Sequence, residues 1–151
     1  MHRVFLPTLT ILVVFSLGVV FSGCSGNVSV LDEREIEGVI NRYINAIYSK
    51  QYNEAKACLY PGGPADRNFD VVWNQTIASL SELERLYGCQ TPVATMEITN
   101  ITMSGDTAIA RLGDVTICFV CTIIGPYCDT LSMYAGKEIP LRKYGGEWRI
   151  Y

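Results

Sequence analysis

Leu141-Arg142-Lys143-Tyr144-Gly145-Gly146-Glu147-Trp148-Arg149-Ile150-Tyr151 closes the chain, and it reads as a β-hairpin. Gly145-Gly146 is a pair that accepts positive φ at both turn positions, and an alternating strand flanks it on each side. Working back from this hairpin, period-two patterning holds as far as Val93. Ile139 to Lys143 is the strand that leads into it, Leu131 to Ala135 a short strand before that, and Gly125-Pro126-Tyr127 the turn that feeds the latter. Val115 to Ile124 is nearly all apolar, as a central strand should be. Thr95 to Thr102 and Ala108 to Leu112 alternate β-branched residues on either side of Ser104-Gly105-Asp106, a turn composition.

N-terminal to Val93 the period becomes helical. Asp32-Glu33-Arg34-Glu35 looks like a helix start, with Asp32 as the cap and Glu35 closing a capping box. Behind it Ile36, Val39, Ile40, Tyr43, Ile44 and Ile47 form one apolar stripe at helical spacing. Asn53 to Leu59 reads as a short second helix capped by Asn53 and stopped by Pro61-Gly62-Gly63-Pro64. A third helix runs from Asp66 or Arg67 to Tyr87, with its stripe on Phe69, Val72, Trp73, Thr76, Ile77, Leu80 and Leu83 and with Gly88 as its stop. Helices first and strands afterwards is the order of an α+β fold.

This order of elements resembles the nuclear transport factor 2-like superfamily, with its cystatin-like α+β cone. The likeness rests on the amphipathic first helix, the second helix around Tyr52-Asn53-Glu54-Ala55-Lys56-Ala57, the third helix, the meandering sheet and the terminal Gly-Gly-x-Trp-x-Ile hairpin. It covers residues 31–151 and is nearest to that family's small bacterial lipoproteins. The resemblance implies three N-terminal helices packed on a strongly curved, mostly antiparallel sheet that leaves a pocket at its open end. The family uses that pocket for enzymes, ligand binders and dimerising adaptors alike.

The N-terminus reads as an address. Met1 to Arg3 is weakly basic, Val4 to Val20 is apolar, and Phe21-Ser22-Gly23-Cys24-Ser25 resembles the lipobox of bacterial lipoproteins, with Phe21 in place of the usual leucine. That resemblance implies a signal peptide over 1–23, lipid on Cys24, a tether over 24–30 and a domain over 31–151 at the membrane of the cell envelope. An uncleaved anchor and an ordinary secretory signal are the competing readings, and all three place the domain outside the cytoplasm.

What remains after residue 23 is long enough for one domain and too short for two. Its formal charge, −3 for the whole chain, falls to −4 without Arg3. No basic excess exists to neutralise phosphates, so nucleic acid is not an expected partner. The only histidine is His2, which leaves the mature domain no imidazole base or metal ligand.

Cys58, Cys89, Cys118, Cys121 and Cys128 follow Cys24. In an extracytoplasmic domain disulfides are the default: Cys58 with Cys89, at two helix ends, and Cys121 with Cys128, across the Gly125-Pro126 turn, leaving Cys118 as a buried apolar side chain. Cys118 and Cys121, three apart in a strand, point to opposite faces. A four-thiolate metal site is the alternative, although the spacing lacks a regular second half, and neither a metal nor a cofactor is expected.

For acid–base chemistry the candidates are Asp70, Glu97, Asp114 and Asp129. Asp70 lies in the opening turn of the third helix with Arg67, where capping and surface charge are the plain explanation. Tyr43, Trp73, Phe119, Tyr134 and Asp70 are the candidate pocket residues. The resulting reading is a non-catalytic, membrane-tethered domain that binds a small apolar ligand or a protein partner. Two others compete with it: an enzyme using Asp70 with Tyr43 or Arg67, and a dimerising envelope module built on the sheet face.

Overall fold

The computed structural model describes residues 29–90 and 92–151. The expected signal peptide over 1–23, the expected lipid attachment at Cys24 and the expected tether up to residue 28 fall outside the described residues. Three helices come first: α1 Val30–Tyr48, α2 Tyr52–Ala57 and α3 Pro64–Tyr87. Each starts earlier than the sequence suggests. Ser29, not Asp32, caps α1, its hydroxyl accepting from the Leu31 amide at 3.2 Å. A serine satisfies that orphan donor as well as an aspartate does, so Val30, counted with the tether, is already helical. α2 begins after Gln51, whose side chain makes no cap bond, and Asn53 is inside its first turn. α3 gains its first turn from Pro64, whose fixed φ suits the first helical position.

The α1 stripe behaves as its spacing predicts. Ile36, Val39, Ile40 and Ile47 are buried, while Tyr43 and Ile44 pack at the margin of the core. α3 ends at Gly88 as expected, with φ +62° and its amide donating to the Glu84 carbonyl at 2.8 Å.

Five strands follow: β1 Val93–Ser104, β2 Thr107–Cys121, β3 Gly125–Leu131, β4 Glu138–Tyr144 and β5 Glu147–Ile150. Every pairing among them is antiparallel. β2 is the spine. β1 lies along one edge of it, and its other edge is shared by β4 over residues 107–111 and β3 over residues 115–121. The two strands read as Ala108–Leu112 and Val115–Ile124 are therefore one.

A bulge explains why they looked separate. The buried positions of β2 are Ala108, Ala110 and Leu112, then Val115, Ile117, Phe119 and Cys121, so the inward phase changes parity across Gly113 and Asp114. β1 shifts register opposite, between Met96 and Asn100. A Cβ on Gly113 would lie 2.7 Å from a Glu97 carboxylate oxygen, which is why the bulge carries a glycine. The bend this produces curves the sheet around the helices.

The expected strand Leu131 to Ala135 is instead the last residue of β3 followed by a 3-10 turn, Ser132–Tyr134. Gly125-Pro126-Tyr127 opens β3, and the turn itself is 122–124. Proline is tolerated there because β3 is an edge strand with one partner. The 3-10 turn fills the gap between β3 and β4 on the edge of β2: Gly136 N donates to Leu112 O and Leu112 N donates to Lys137 O, both at 2.8 Å. The final hairpin is as read, with Gly145 and Gly146 at φ +62° and +88° between Tyr144 and Glu147.

The disulfides differ from the expected pairs. They are Cys89–Cys121 and Cys118–Cys128, and among the described cysteines Cys58 is free and buried. Cys118 and Cys128 are direct partners in the β2–β3 register, whereas Cys121 stands opposite Gly125. Cys121 therefore points inward with Phe119, away from Cys128, and meets Cys89 just after α3 through a bridge of its own. Cys58 cannot serve Cys89 because the end of α2 is bound to β5: Ile150 N donates to Cys58 O at 2.9 Å and Tyr60 N to Ile150 O at 2.7 Å. With four thiols in disulfides, the four-thiolate alternative is not formed. Two disulfides mark a domain that matures in an oxidising compartment, and no helix among the described residues is long and apolar enough to cross a membrane.

Candidate functional site

Three of the five candidate pocket residues lie on the helices and two on the sheet side, and all but Asp70 belong to or pack against one buried core. Tyr43, Trp73 and Asp70 belong to an aromatic cluster among the three helices, with Phe69 at its centre. Tyr43, Tyr52 and Trp73 lie 6.4, 5.1 and 5.8 Å from the Phe69 ring centroid, and Tyr52 meets Trp73 edge-on at 5.2 Å. Lys56 Nζ sits 5.1 Å over the Phe69 ring and pairs with Asp66 at 2.9 Å. Burial raises the Tyr43 phenol far above its ordinary range, so it is neutral at every physiological pH.

Asp70 is exposed and accepts a hydrogen bond from the Tyr52 hydroxyl at 2.6 Å. That bond raises the Tyr52 phenol and is the largest cause of its shift. Neither expected acid–base pair is present: Asp70 partners Tyr52 rather than Tyr43, and Arg67 donates to the Gly62 carbonyl. The cause is local. Position 70 follows buried Phe69 by one residue, so the helix turns its side chain outward. Tyr52 was missed because its helix starts one residue earlier than Asn53 suggests.

Phe119 and Tyr134 belong to the concave face of the sheet. Phe119 is buried on β2, flanked along the strand by Ile117 and Cys121. Tyr134, from the 3-10 turn, is 7% exposed, and its hydroxyl is buried without a hydrogen-bond partner among the described residues. Such a group costs about 1–3 kcal/mol of desolvation, so its presence needs a reason. Burial, and secondarily the charge of Tyr134, raises the phenol of Tyr48 at the C-terminal end of α1 far above its ordinary range. Burial likewise raises the Tyr134 phenol.

Of the four candidate carboxylates, Asp70, Glu97 and Asp114 are exposed and Asp129 is half-buried. Asp129 stands opposite Ile117 in the β2–β3 register, between the pairs Phe119–Tyr127 and Val115–Leu131. Paired residues share a face, so Asp129 lies with buried Ile117 on the concave side. The signal was available in sequence only to a reader who already knew that β3 begins at Gly125.

The sequence matches no family model and no curated protein. Solved structures of similar fold include a protein of unknown function from Mycobacterium tuberculosis, 16% identical, with TM-score 0.53 over 81% of this chain and 73% of that one. A cystatin-like-fold protein of unknown function from Nostoc punctiforme is 11% identical, with TM-score 0.49 over 82% of this chain and 88% of that one. A nuclear transport factor 2-like protein of unknown function from Methylobacillus flagellatus is 22% identical, with TM-score 0.46 over 85% and 93%. The likeness at these identities is one of fold. Three helices followed by a curved antiparallel sheet is the α+β architecture of this chain.

Proposed function

We propose that the chain is an extracytoplasmic binding domain, tethered to the membrane through Cys24, which takes a small and mainly apolar ligand on its concave face. The fold by itself hosts enzymes and binders alike, so the reading rests on the site. One observation carries it: the Tyr134 hydroxyl, buried and without a hydrogen-bond partner among the described residues. A ligand with a single hydrogen-bonding oxygen would satisfy that group, while Phe119 and its apolar neighbours would take the remainder.

Native mass spectrometry of the full-length chain from its own source would report a co-purifying small molecule directly. Tyr134→Phe supplies the second measurement. Removing an unpaired hydroxyl should leave the ligand-free domain as stable or up to about 1 kcal/mol more stable, while ligand retention falls about tenfold. A Tyr134→Phe protein that is less stable without ligand, or that holds the same small molecule equally well, would overturn the assignment.

A further inference from the structure

The two stretches of chain that meet around the β2–β3 turn carry no charge. Tyr87–Met96 and Val115–Cys128 contain no Asp, Glu, Lys or Arg, and the fold brings these two stretches together. Gln90 N donates to Val120 O at 2.8 Å, Thr122 N to Gly88 O at 3.2 Å and Ile123 N to Tyr87 O at 3.3 Å, and Cys89–Cys121 joins them covalently. Ile123 at the apex is 70% exposed, Val93 63% and Val120 59%, with Ile124 and Tyr127 also exposed. Val93 and Val120 lie on the outer face with the Cys118–Cys128 bridge, since Val93 stands opposite Cys118 and Val120 opposite Pro126. Tyr127, opposite Phe119, is on the concave side. The result is a wedge with apolar side chains on both faces and at its edge.

We propose that this wedge inserts into the interfacial layer of a lipid bilayer. Its apolar surface, on the order of 500 Å², is that of a functional patch but short of the ~800 Å² per partner that a stable protein dimer buries. The amides of Gln90, Thr122 and Ile123 already have protein acceptors, so these three donors are not carried unpaired into hydrocarbon. The two disulfides fix the turn in advance, which removes the ordering entropy that a floppy loop would lose on insertion. A tyrosine beside the apex suits the headgroup level, where one end of the ring is wet and the other apolar.

The apolar run Val4–Phe21 ends eight residues before α1; the clause that follows rests on the tether proposed above, which keeps a bilayer within reach. The wedge adjoins the C-terminal end of α3, which Lys50–Glu84 ties to the C-terminal end of α1 at 2.8 Å. Tether and wedge are then separated by the length of α1, about 28 Å, so with both engaged the domain lies along the membrane rather than standing on it.

The test uses the full-length chain bearing Ile123→Trp, mixed with phosphatidylcholine vesicles whose acyl chains carry bromine, with intact mass confirming both disulfides. Should that variant fail to oxidise, Ile124→Trp takes its place. The expected result is quenching of the introduced indole several-fold stronger than that of native Trp73 and Trp148, and its loss when Val120→Asp is added. Flotation with the vesicles without quenching would overturn the wedge and leave the tether standing. Quenching that survives Cys24→Ser would keep the wedge without the tether. No flotation at all, or a blue shift that grows with protein concentration in the absence of vesicles, would overturn the wedge, the latter in favour of a second copy of the chain.

Discussion

The hairpin end of the molecule and its β2–β3 end are held by opposite means. Where β4 and β5 meet α1, the contacts are charged and aromatic. Asp32 Oδ1 accepts from Trp148 Nε1 and from Lys143 Nζ, each at 2.9 Å, Arg142 stacks 3.8 Å over the Tyr151 ring, and Tyr60 lies edge-on to both Tyr144 and Tyr151. At the β2–β3 end the two stretches that meet, 87–96 and 115–128, carry no charge, and two disulfides brace them. One end therefore responds to pH and salt, and the other to reductant.

Removing the covalent bonds should have the largest effect and should rank them. In the chain-entropy model the 32-residue separation of Cys89–Cys121 contributes about 4 kcal/mol and the 10-residue separation of Cys118–Cys128 about 3 kcal/mol. Urea unfolding of Cys89→Ser/Cys121→Ser and of Cys118→Ser/Cys128→Ser should show that order. The inner pair also loses packing, because Cys89 and Cys121 are buried, which widens the gap. A larger loss from the outer pair would break the comparison.

A smaller effect is expected where α3 meets the turn. A Cβ on Gly88 would clash with Thr122 Oγ1, at a φ of +62°. Gly88→Ala should destabilise by about 1–2 kcal/mol, combining the left-handed backbone with the clash. Thr122→Ala removes the hydroxyl and should recover part of that loss in a double-mutant cycle; full additivity of the two changes would show that the clash is relieved elsewhere.

The smallest effect, and the one confined to the charged end, is on pH dependence. Hydrogen bonds from Lys143 first and Trp148 second hold the Asp32 carboxyl below its ordinary value, and Asp32 raises Lys143. A carboxyl depressed in the folded state contributes stability above its unfolded value, near ~4, that disappears as pH falls through the folded value. The lysine contributes below its unfolded value of ~10 and loses that share as pH rises through its raised folded value. Asp32→Asn should flatten both limbs of the stability–pH curve, while the cysteine variants should shift the curve without changing its shape. An unchanged acid limb in Asp32→Asn would show that the Asp32–Lys143 pair adds nothing to the hold of β4 and β5 on α1.

The helices and the final hairpin were legible because their signals are local: a stripe at helical spacing, a glycine after Tyr87, a glycine pair before Trp148. The cysteine pairing was not, because it depends on one residue of register. Reading Gly125-Pro126-Tyr127 as a turn displaced β3 and set Cys121 opposite Cys128, when Cys118 is its true partner. The bulge at Gly113 hid in the same way, since a parity change looks like a strand end until β1 is seen running past it. The site suffered most. Tyr43, Trp73 and Asp70 carry residue types that suit a pocket, yet Tyr52 and Phe69 gather them elsewhere, and Asp129 acquires its concave position only from the strand that was misplaced.

Cys58 has no exposed surface, and burial raises its thiol above the ordinary value despite the hydrogen bond from Arg42. A thiolate, not a thiol, attacks a disulfide, and it must reach the sulfur to do so. While α2 is docked against β5, the free sulfur is thus kept from both bridges by denial of ionisation and of access. Once the domain opens, that same sulfur becomes an internal reagent with two bonds to attack. Heating should consequently be reversible only for a short time at neutral pH, with scrambled isomers accumulating afterwards, and the native connectivity persists through the slowness of α2 undocking as much as through its equilibrium stability.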